Sequence, residues 1–461
     1  MKTIHSKSAY RIEARETLIL AVPIVVTQLA HFSLSFVDTV MVGRLGPDAL
    51  AGVALGNTVF FNTLVFCMGI LMAVGPMVSQ AYGAEDNDSI GRSVRQGLWM
   101  ATLLSILAFI VLNNGAIILR LLGQSESNIT KASAYLHAIS WGILPFLGFI
   151  ALRSFIEAVS MPRVVTVIAL FGVGLNIFLN YVLMFGKWGF PEMGLVGTGW
   201  ASTIVYSFNF VLLLLYVWRQ KEFGVYRIFS RLGRPDKHYF KELFNIGFPI
   251  GSTMGIETSL FMLTVIMMGW MGTTELAAHQ VAMQCAAFTF MVPLGIGMAS
   301  SVRVGQSIGK KDSNGASVAG FTGMGISVAF MSMTALSFWL FPTSIVSLYL
   351  DLDVERNAAV IEMAVRLLAL AAIFQVVDGI QVAALAALRG MKDTRVPLVI
   401  AVFSYWGVGL GSGYFLAFRF GLREIGLWWG LVLGLMTAAV LLTWRFYRLN
   451  HKARQKFSDT L

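Results

Sequence analysis

Charge is what this sequence lacks. Only 13% of its 461 residues are Asp, Glu, Lys or Arg, while 57% are hydrophobic and the mean hydropathy is +0.73. A soluble domain carries about 25% charged residues, so a water-soluble globule is excluded and a polytopic membrane protein remains. Cysteine is scarce as well. Cys67 and Cys285 both fall inside apolar runs, which reads as buried free thiols and argues against a disulfide or metal pair. Six scattered histidines form no cluster with metal-site spacing, and no nucleophile–base motif is visible. The Gly-rich stretches contain no phosphate-loop pattern. The chain is therefore expected not to be an enzyme, and to need no cofactor beyond a coupling ion. A cleavable signal peptide is not evident either. The first 16 residues carry Lys2, Lys7, Arg11, Glu13, Arg15 and Glu16, and the apolar run behind them is long enough to stay as a span.

What is present is a series of apolar runs. A helix needs about 20 such residues to cross a bilayer core. Twelve runs qualify: 17–42, 50–79, 94–117, 131–153, 164–185, 194–218, 243–270, 276–302, 316–341, 357–388, 396–418 and 425–446. Lipid admits only helices or closed barrels, and these runs are too long for barrel strands. The predicted fold is an all-α integral membrane protein of 12 transmembrane helices in two six-helix bundles. The expected organisation is an N-terminal lobe over 1–220, a cytoplasmic linker over 221–242 and a C-terminal lobe over 243–461. Of the 34 Lys and Arg, 26 fall in the tails and the loops that share their side. The positive-inside bias then puts both termini in the cytoplasm. It also accounts for the net charge of +10 and the pI of about 9.6 without nucleic acid. The expected site is the cell inner membrane.

The halves repeat. Setting residue n against n + 226 from 23 to 83 gives 18 identities in 61 positions without a gap, among them Pro23/Pro249, Gly46/Gly272, Gly69/Gly295 and Gln80/Gln306. Farther on, Leu152–Arg153 match Leu388–Arg389 and Gly194–Leu195 match Gly426–Leu427. Six spans per half preserve topology, so a pseudo-two-fold axis along the membrane normal is expected. Two bundles around a cleft are an architecture for alternating access, though fold alone does not assign function.

Three carboxylates interrupt the apolar runs: Asp38 in span 1, Glu257 in span 7 and Asp378 in span 10. Such a residue costs roughly 2.5–3.5 kcal/mol on insertion scales. Asp38 aligns with Thr264, and Glu257 with His31, so the acids are not repeat copies. One buried acid can be a structural hydrogen bond. Three, with no Lys or Arg evident inside the spans, read better as cation-coupling groups, because a proton and a cation compete for the same carboxylate. Asn176 and Asn180 share one face of span 5. They could supply oxygens to a hard cation or hydrogen bonds to Asp38, or act as helix–helix glue. His279 and Gln280 open span 8. Phe290 could offer a ring face to a cation or simply pack. The 23 methionines could line a promiscuous cavity. Arg153 with Glu157, and Glu362 with Arg366, are i,i+4 pairs that read as interfacial bridges. Pro23 and Pro249 can loosen the helices that hold them.

The stretches FVDTVMVGRLG, VSQAYGAED, LNIFLNYVLMFGKWGFPEMGLVGTGWAST, AAHQVAMQ, MASSVRVGQSIGKKD and FQVVDGIQVAALAALRGMKDTRVP, in this order along nearly the whole chain, resemble the multidrug and toxic compound extrusion (MATE) family. The resemblance implies an efflux antiporter that exports large, often cationic drugs in exchange for inward Na⁺ or H⁺. Glu257, Asp378 and the AAHQV run are similar to the NorM-type branch, which associates those acids with the coupling cation, often Na⁺. Asp38, with Asn176, Asn180 and Thr198, matches a polar site in span 1 of the family. The chain departs from NorM-type members in reading MVGR for MAGG, in Phe178 between the asparagines, and in Phe290 where some have Tyr. Small-molecule drugs, organic cations and the lipid bilayer are the expected partners, with no nucleic acid, and a monomer is expected. The alternatives are another 12-span carrier, for which the loop AYGAEDNDSIGRS lacks the major-facilitator pattern, and a lipid-linked saccharide flippase, which would favour cationic cavity residues.

Overall fold

The computed structural model describes residues 2–230, 232–233 and 235–458, and among them it contains helices and no strand. In chain order the long elements are α1 (Lys2–Gly43), α2 (Pro47–Gly83), α3 (Asn87–Asn113), α4 (Glu126–Ser140 and Ile143–Ala158), α5 (Pro162–Phe185) and α6 (Gly194–Arg219). They continue with α7 (Lys237–Met271), α8 (Thr273–Gly309), α9 (Ser313–Leu340), α10 (Ala358–Gly390), α11 (Arg395–Arg419) and α12 (Arg423–Ser458). Eleven of these are single helices long and apolar enough to cross a membrane. The twelfth, α4, passes the same test as a pair bent by 51°. The protein is a multi-pass, all-α membrane protein.

Local chemistry sets the helix ends. Pro47 and Pro162 occupy first-turn positions, where a missing N–H costs nothing. Asp86 and Asp312 cap α3 and α9 by accepting from the N–H of Ser89 and Gly315 at 3.0 and 2.8 Å. These caps are repeat equivalents, and so are the left-handed residues just before them, Glu85 (φ 57°) and Lys311 (φ 60°). The turns after α4 and α10 also match one another. Ser160 (φ 65°) and Lys392 (φ 58°) donate their N–H to the carbonyls of Glu157 and Arg389 at 3.0 and 2.9 Å. The next N–H in each, from Met161 and Asp393, reaches Ile156 and Leu388 at 3.0 Å. This geometry corrects the register read from the Leu-Arg dipeptides: the counterpart of Arg389 is Glu157, one turn beyond Arg153.

The chain forms two compact units. One holds residues 26–251, and the other holds residues 1–25 with 252–461. Helices α1 and α7 therefore each begin in one unit and end in the other, and both change unit two residues after their internal proline, Pro23 or Pro249. In the first unit the start of α7 lies on α2. A Cβ on Gly247 would meet the Ile70 carbonyl oxygen at 2.3 Å, and one on Gly69 would meet Gly251 Cα at 2.3 Å. The stretch before α7 is docked on α3. Arg95 donates to the Arg227 carbonyl at 2.8 Å and Trp99 to that of Leu232 at 2.9 Å. In the second unit the start of α1 lies on α8. Arg303 donates twice to Glu13, at 2.7 and 2.6 Å, and Gly295 approaches Val25.

Small residues also join α11 to α12. Gly409, Gly413 and Ala417 recur every four residues on one helix, and Gly426, Gly430 and Gly434 on the other. In lipid, where apolar burial gives helices little reason to associate, such stripes let backbones approach closely. A Cβ on Gly430 would sit 2.3 Å from Gly413 Cα, and one on Gly434 would sit 2.8 Å from Gly409 Cα. Gly430→Leu should therefore lower the thermal midpoint in detergent by several degrees, matching an overpacking cost of about 1–3 kcal/mol. Gly411→Ala, which meets nothing within 4 Å, should leave it unchanged in the same unfolding assay.

Candidate functional site

Within the unit of residues 26–251, Asp38 sits on the last turns of α1. Its Oδ1 accepts from Asn176 Nδ2 at 3.1 Å and Asn180 Nδ2 at 2.6 Å, both on α5. Its Oδ2 accepts from Ser202 Oγ on α6 at 3.3 Å. Asn180 Nδ2 also donates to Asn176 Oδ1 at 3.2 Å, which locks the two amides together. The i,i+4 spacing of the asparagines places both on the face that meets α1. Both are fully buried, and Asn180 Oδ1 has no partner among the described residues. Thr198 is buried one turn before Ser202, and its hydroxyl also lacks a partner there. Tyr135 and Tyr206 lie within electrostatic reach of Asp38. Every group that bonds the carboxylate is thus a neutral donor. The charge is solvated but not cancelled, and a bare oxygen stands close by.

Ser202 escaped the sequence reading. Its signal was the GTGWAST stretch, where it lies one turn after Thr198. The i,i+4 pair of Arg153 and Glu157 forms within α4 and is buried. Arg153 Nε donates to Glu157 Oε1 at 2.7 Å with both side chains only 6% and 4% exposed, and Arg153 also donates to Gln28 at 2.7 Å. The Glu362–Arg366 pair, in contrast, is exposed.

The other unit holds a second acidic site of different construction. Asp378, on α10, is buried, and its Oδ1 has no hydrogen-bond partner among the described residues. Glu257, on α7, is half-buried and lies within electrostatic reach of Asp378. Gln381, one turn after Asp378, donates to the Tyr405 hydroxyl, and its own Oε1 is unpartnered. Tyr405 is fully buried and belongs to a nine-residue wide-turn (π) segment, Val402–Leu410. Such insertions are rare and turn up often at functional sites. Thr289 donates to Gln375 Oε1 at 3.0 Å, one turn before Asp378. The expectation that no basic residue enters the spans is overturned. Arg389, at the end of α10, is only 9% exposed and acts electrostatically on Glu257. A tail-side arginine and a buried one look alike to a hydropathy window.

The remaining candidates lie apart from these bonds. His279 is buried edge-on against Trp428, with ring centroids 5.7 Å apart, and neither ring nitrogen has a partner among the described residues. Gln280 is exposed, and Phe290 is half-buried on the same helix, α8. Cys67 and Cys285 are buried free thiols.

Twelve apolar helical segments with three carboxylates among them define a polytopic membrane protein with acidic groups in its interior. The MatE family model matches residues 23–182 and 249–415, two segments that begin at the two equivalent prolines. The chain is 41% identical over 444 residues to the "Probable multidrug resistance protein NorM" of Mesorhizobium japonicum, covering 96% of this chain and 95% of the relative. It is 39% identical over 436 residues to the "Multidrug resistance protein NorM" of Burkholderia vietnamiensis, covering 94% of each. Its fold is similar to the crystal structure of the eukaryotic MATE transporter AtDTX14, with a TM-score of 0.85 at 21% identity over 97% of this chain and 99% of that one. The chain belongs to the MatE family, and the relatives just named are NorM proteins.

The buried Arg153–Glu157 pair yields a direct test. Removing one partner of a buried ion pair strands the other, at a cost of about 3–5 kcal/mol. Glu157→Gln should therefore lower the thermal midpoint sharply, whereas Glu157→Gln with Arg153→Met should recover much of the loss. Equal midpoints for wild type and Glu157→Gln would show the pair to be idle.

Proposed function

We propose that this chain is an inner-membrane multidrug antiporter with both termini in the cytoplasm, working as a monomer. It exports large, often cationic drugs in exchange for inward movement of Na⁺ or H⁺. The observation that carries the reading is the buried, unpartnered Asp378 Oδ1 beside a second carboxylate, Glu257. Two acids within electrostatic reach of one another, one of them buried, favour a bound cation or a shared proton. Asp38 supports the reading from the other unit, since its neutral donors leave a full charge able to attract a cationic drug or the ion. The printed names of the NorM relatives supply the substrate class, multidrug efflux. The 26 tail-side Lys and Arg supply the orientation.

A cation bound at the carboxylates drives transport only if it favours one access state over the other. It follows that the acids should matter to turnover and to ion dependence together. In everted vesicles with Na⁺ and pH gradients imposed separately, Asp38→Asn, Glu257→Gln and Asp378→Asn should each cut ethidium efflux at least tenfold, a loss of about 1.4 kcal/mol in the driving step. The wild type should respond to one gradient. The mechanism is wrong if all three variants keep wild-type efflux and the same ion response.

A further inference from the structure

The repeat puts opposite chemistry at matching places. On the ungapped register His31 corresponds to Glu257, and the shared turn makes Glu157 the counterpart of Arg389. In the unit of residues 26–251 the charge at this place is closed locally: Glu157 is paired with Arg153, one turn earlier on the same helix. Arg389 has no such partner. One turn earlier stands Leu385, which is apolar, and one turn later stands Asp393, which already accepts from Arg445 Nε on α12 at 2.8 Å. Arg389 Nε is buried without a hydrogen-bond partner among the described residues. The helix cannot readily move aside to expose it, because Gly390 packs so closely that an added Cβ would meet the Ser301 carbonyl oxygen at 2.5 Å. The acid within electrostatic reach of Arg389 is Glu257, and Glu257 in turn lies within electrostatic reach of Asp378. Along α10, Asp378 and Arg389 are three turns apart, about 16 Å, and so share one face.

We propose that Arg389 is a tethered counter-ion of the Glu257–Asp378 site, taking the electrostatic place of the coupling cation whenever that cation leaves and competing with it for Glu257. The proposal rests on the reading of these acids as the cation site. Two carboxylates and one guanidinium leave a net charge of minus one, which a single monovalent cation brings to zero. The arginine lowers the affinity of the site and thereby lets the ion go. An acidic pair without it would hold its cation too tightly to turn over. In the other unit, where Arg153 is closed by Glu157, no basic residue among the described ones takes the equivalent place beside Asp38.

The test is ²²Na⁺ binding to the purified full-length protein in detergent, in wild type, Glu257→Gln, Arg389→Gln, Arg389→Lys and Arg445→Gln. Removing the competing charge should tighten the Glu257-dependent Na⁺ component roughly tenfold, the scale of one charge at partly screened distance. Arg389→Lys should stay within about threefold of wild type, because it keeps the charge. Arg445→Gln frees Asp393 to take Arg389, so it should tighten Na⁺ binding in the same direction without altering the site, and it decides the matter if Arg389→Gln does not fold. The counter-ion role is overturned if the folded variants of Arg389→Gln and Arg445→Gln bind Na⁺ within twofold of wild type or more weakly. Wild type that binds no Na⁺, or Glu257→Gln that binds it normally, sinks the cation-site reading itself and the counter-ion with it.

Discussion

A charge inside hydrocarbon must find its answer within the protein, and the structure is arranged around three that do. Insertion of a carboxylate costs energy that water cannot return, so each acid is met by something fixed in the surrounding helices. Asp38 is met by two amides and a hydroxyl from α5 and α6. Those helices can deliver them because Asn176 and Asn180 lie one turn apart, with Ser202 on the neighbouring helix. Asp378 and Glu257 are met less completely, by each other, by Tyr405 on its widened turn, and by an arginine. Close helix packing holds these groups at fixed depth. The glycine stripes of α11 and α12, for instance, keep the Tyr405 segment against its neighbour.

The two units thus solvate charge by different means. Neutral donors spread over several atoms stabilise an anion without neutralising it, so the net field of Asp38 persists around its basket. A nearby guanidinium cancels charge outright but must be displaced or shared when another cation arrives. The difference matches the absence of repeat copies among the acids: His31 stands where Glu257 does, and Thr264 where Asp38 does.

Much of the fold was legible because hydropathy and the bilayer impose one answer. Runs of about 20 apolar residues must be helices, and the twelve runs correspond to the twelve helical segments found. The asparagine pair could be read as a face for the same reason, since helical spacing is local. The rest depended on packing, which sequence periodicity does not carry. Ser202 lies on a separate helix from Asp38 and looks like any small residue at a helix interface. Tyr405 joins the acidic cluster through Gln381, from a widened segment of α11 that no periodicity announces. Arg389 follows an apolar run, where arginines ordinarily mark the cytoplasmic edge, and it is buried where its neighbour Gly390 packs on α8. The Leu-Arg dipeptides matched in sequence while the turn geometry set the register one helical turn away.

The exchange of helix starts has a consequence for how such a chain comes to exist. Each unit owes part of its core to a segment from the opposite half of the sequence: residues 1–25 complete one, and the start of α7 completes the other. Neither half of the sequence therefore supplies a whole unit: the first 25 residues and the start of α7 are exchanged, while the rest of α1 and of α7 stays with its own half. Each core is thus joint property of the two halves, as in a domain swap written into one polypeptide.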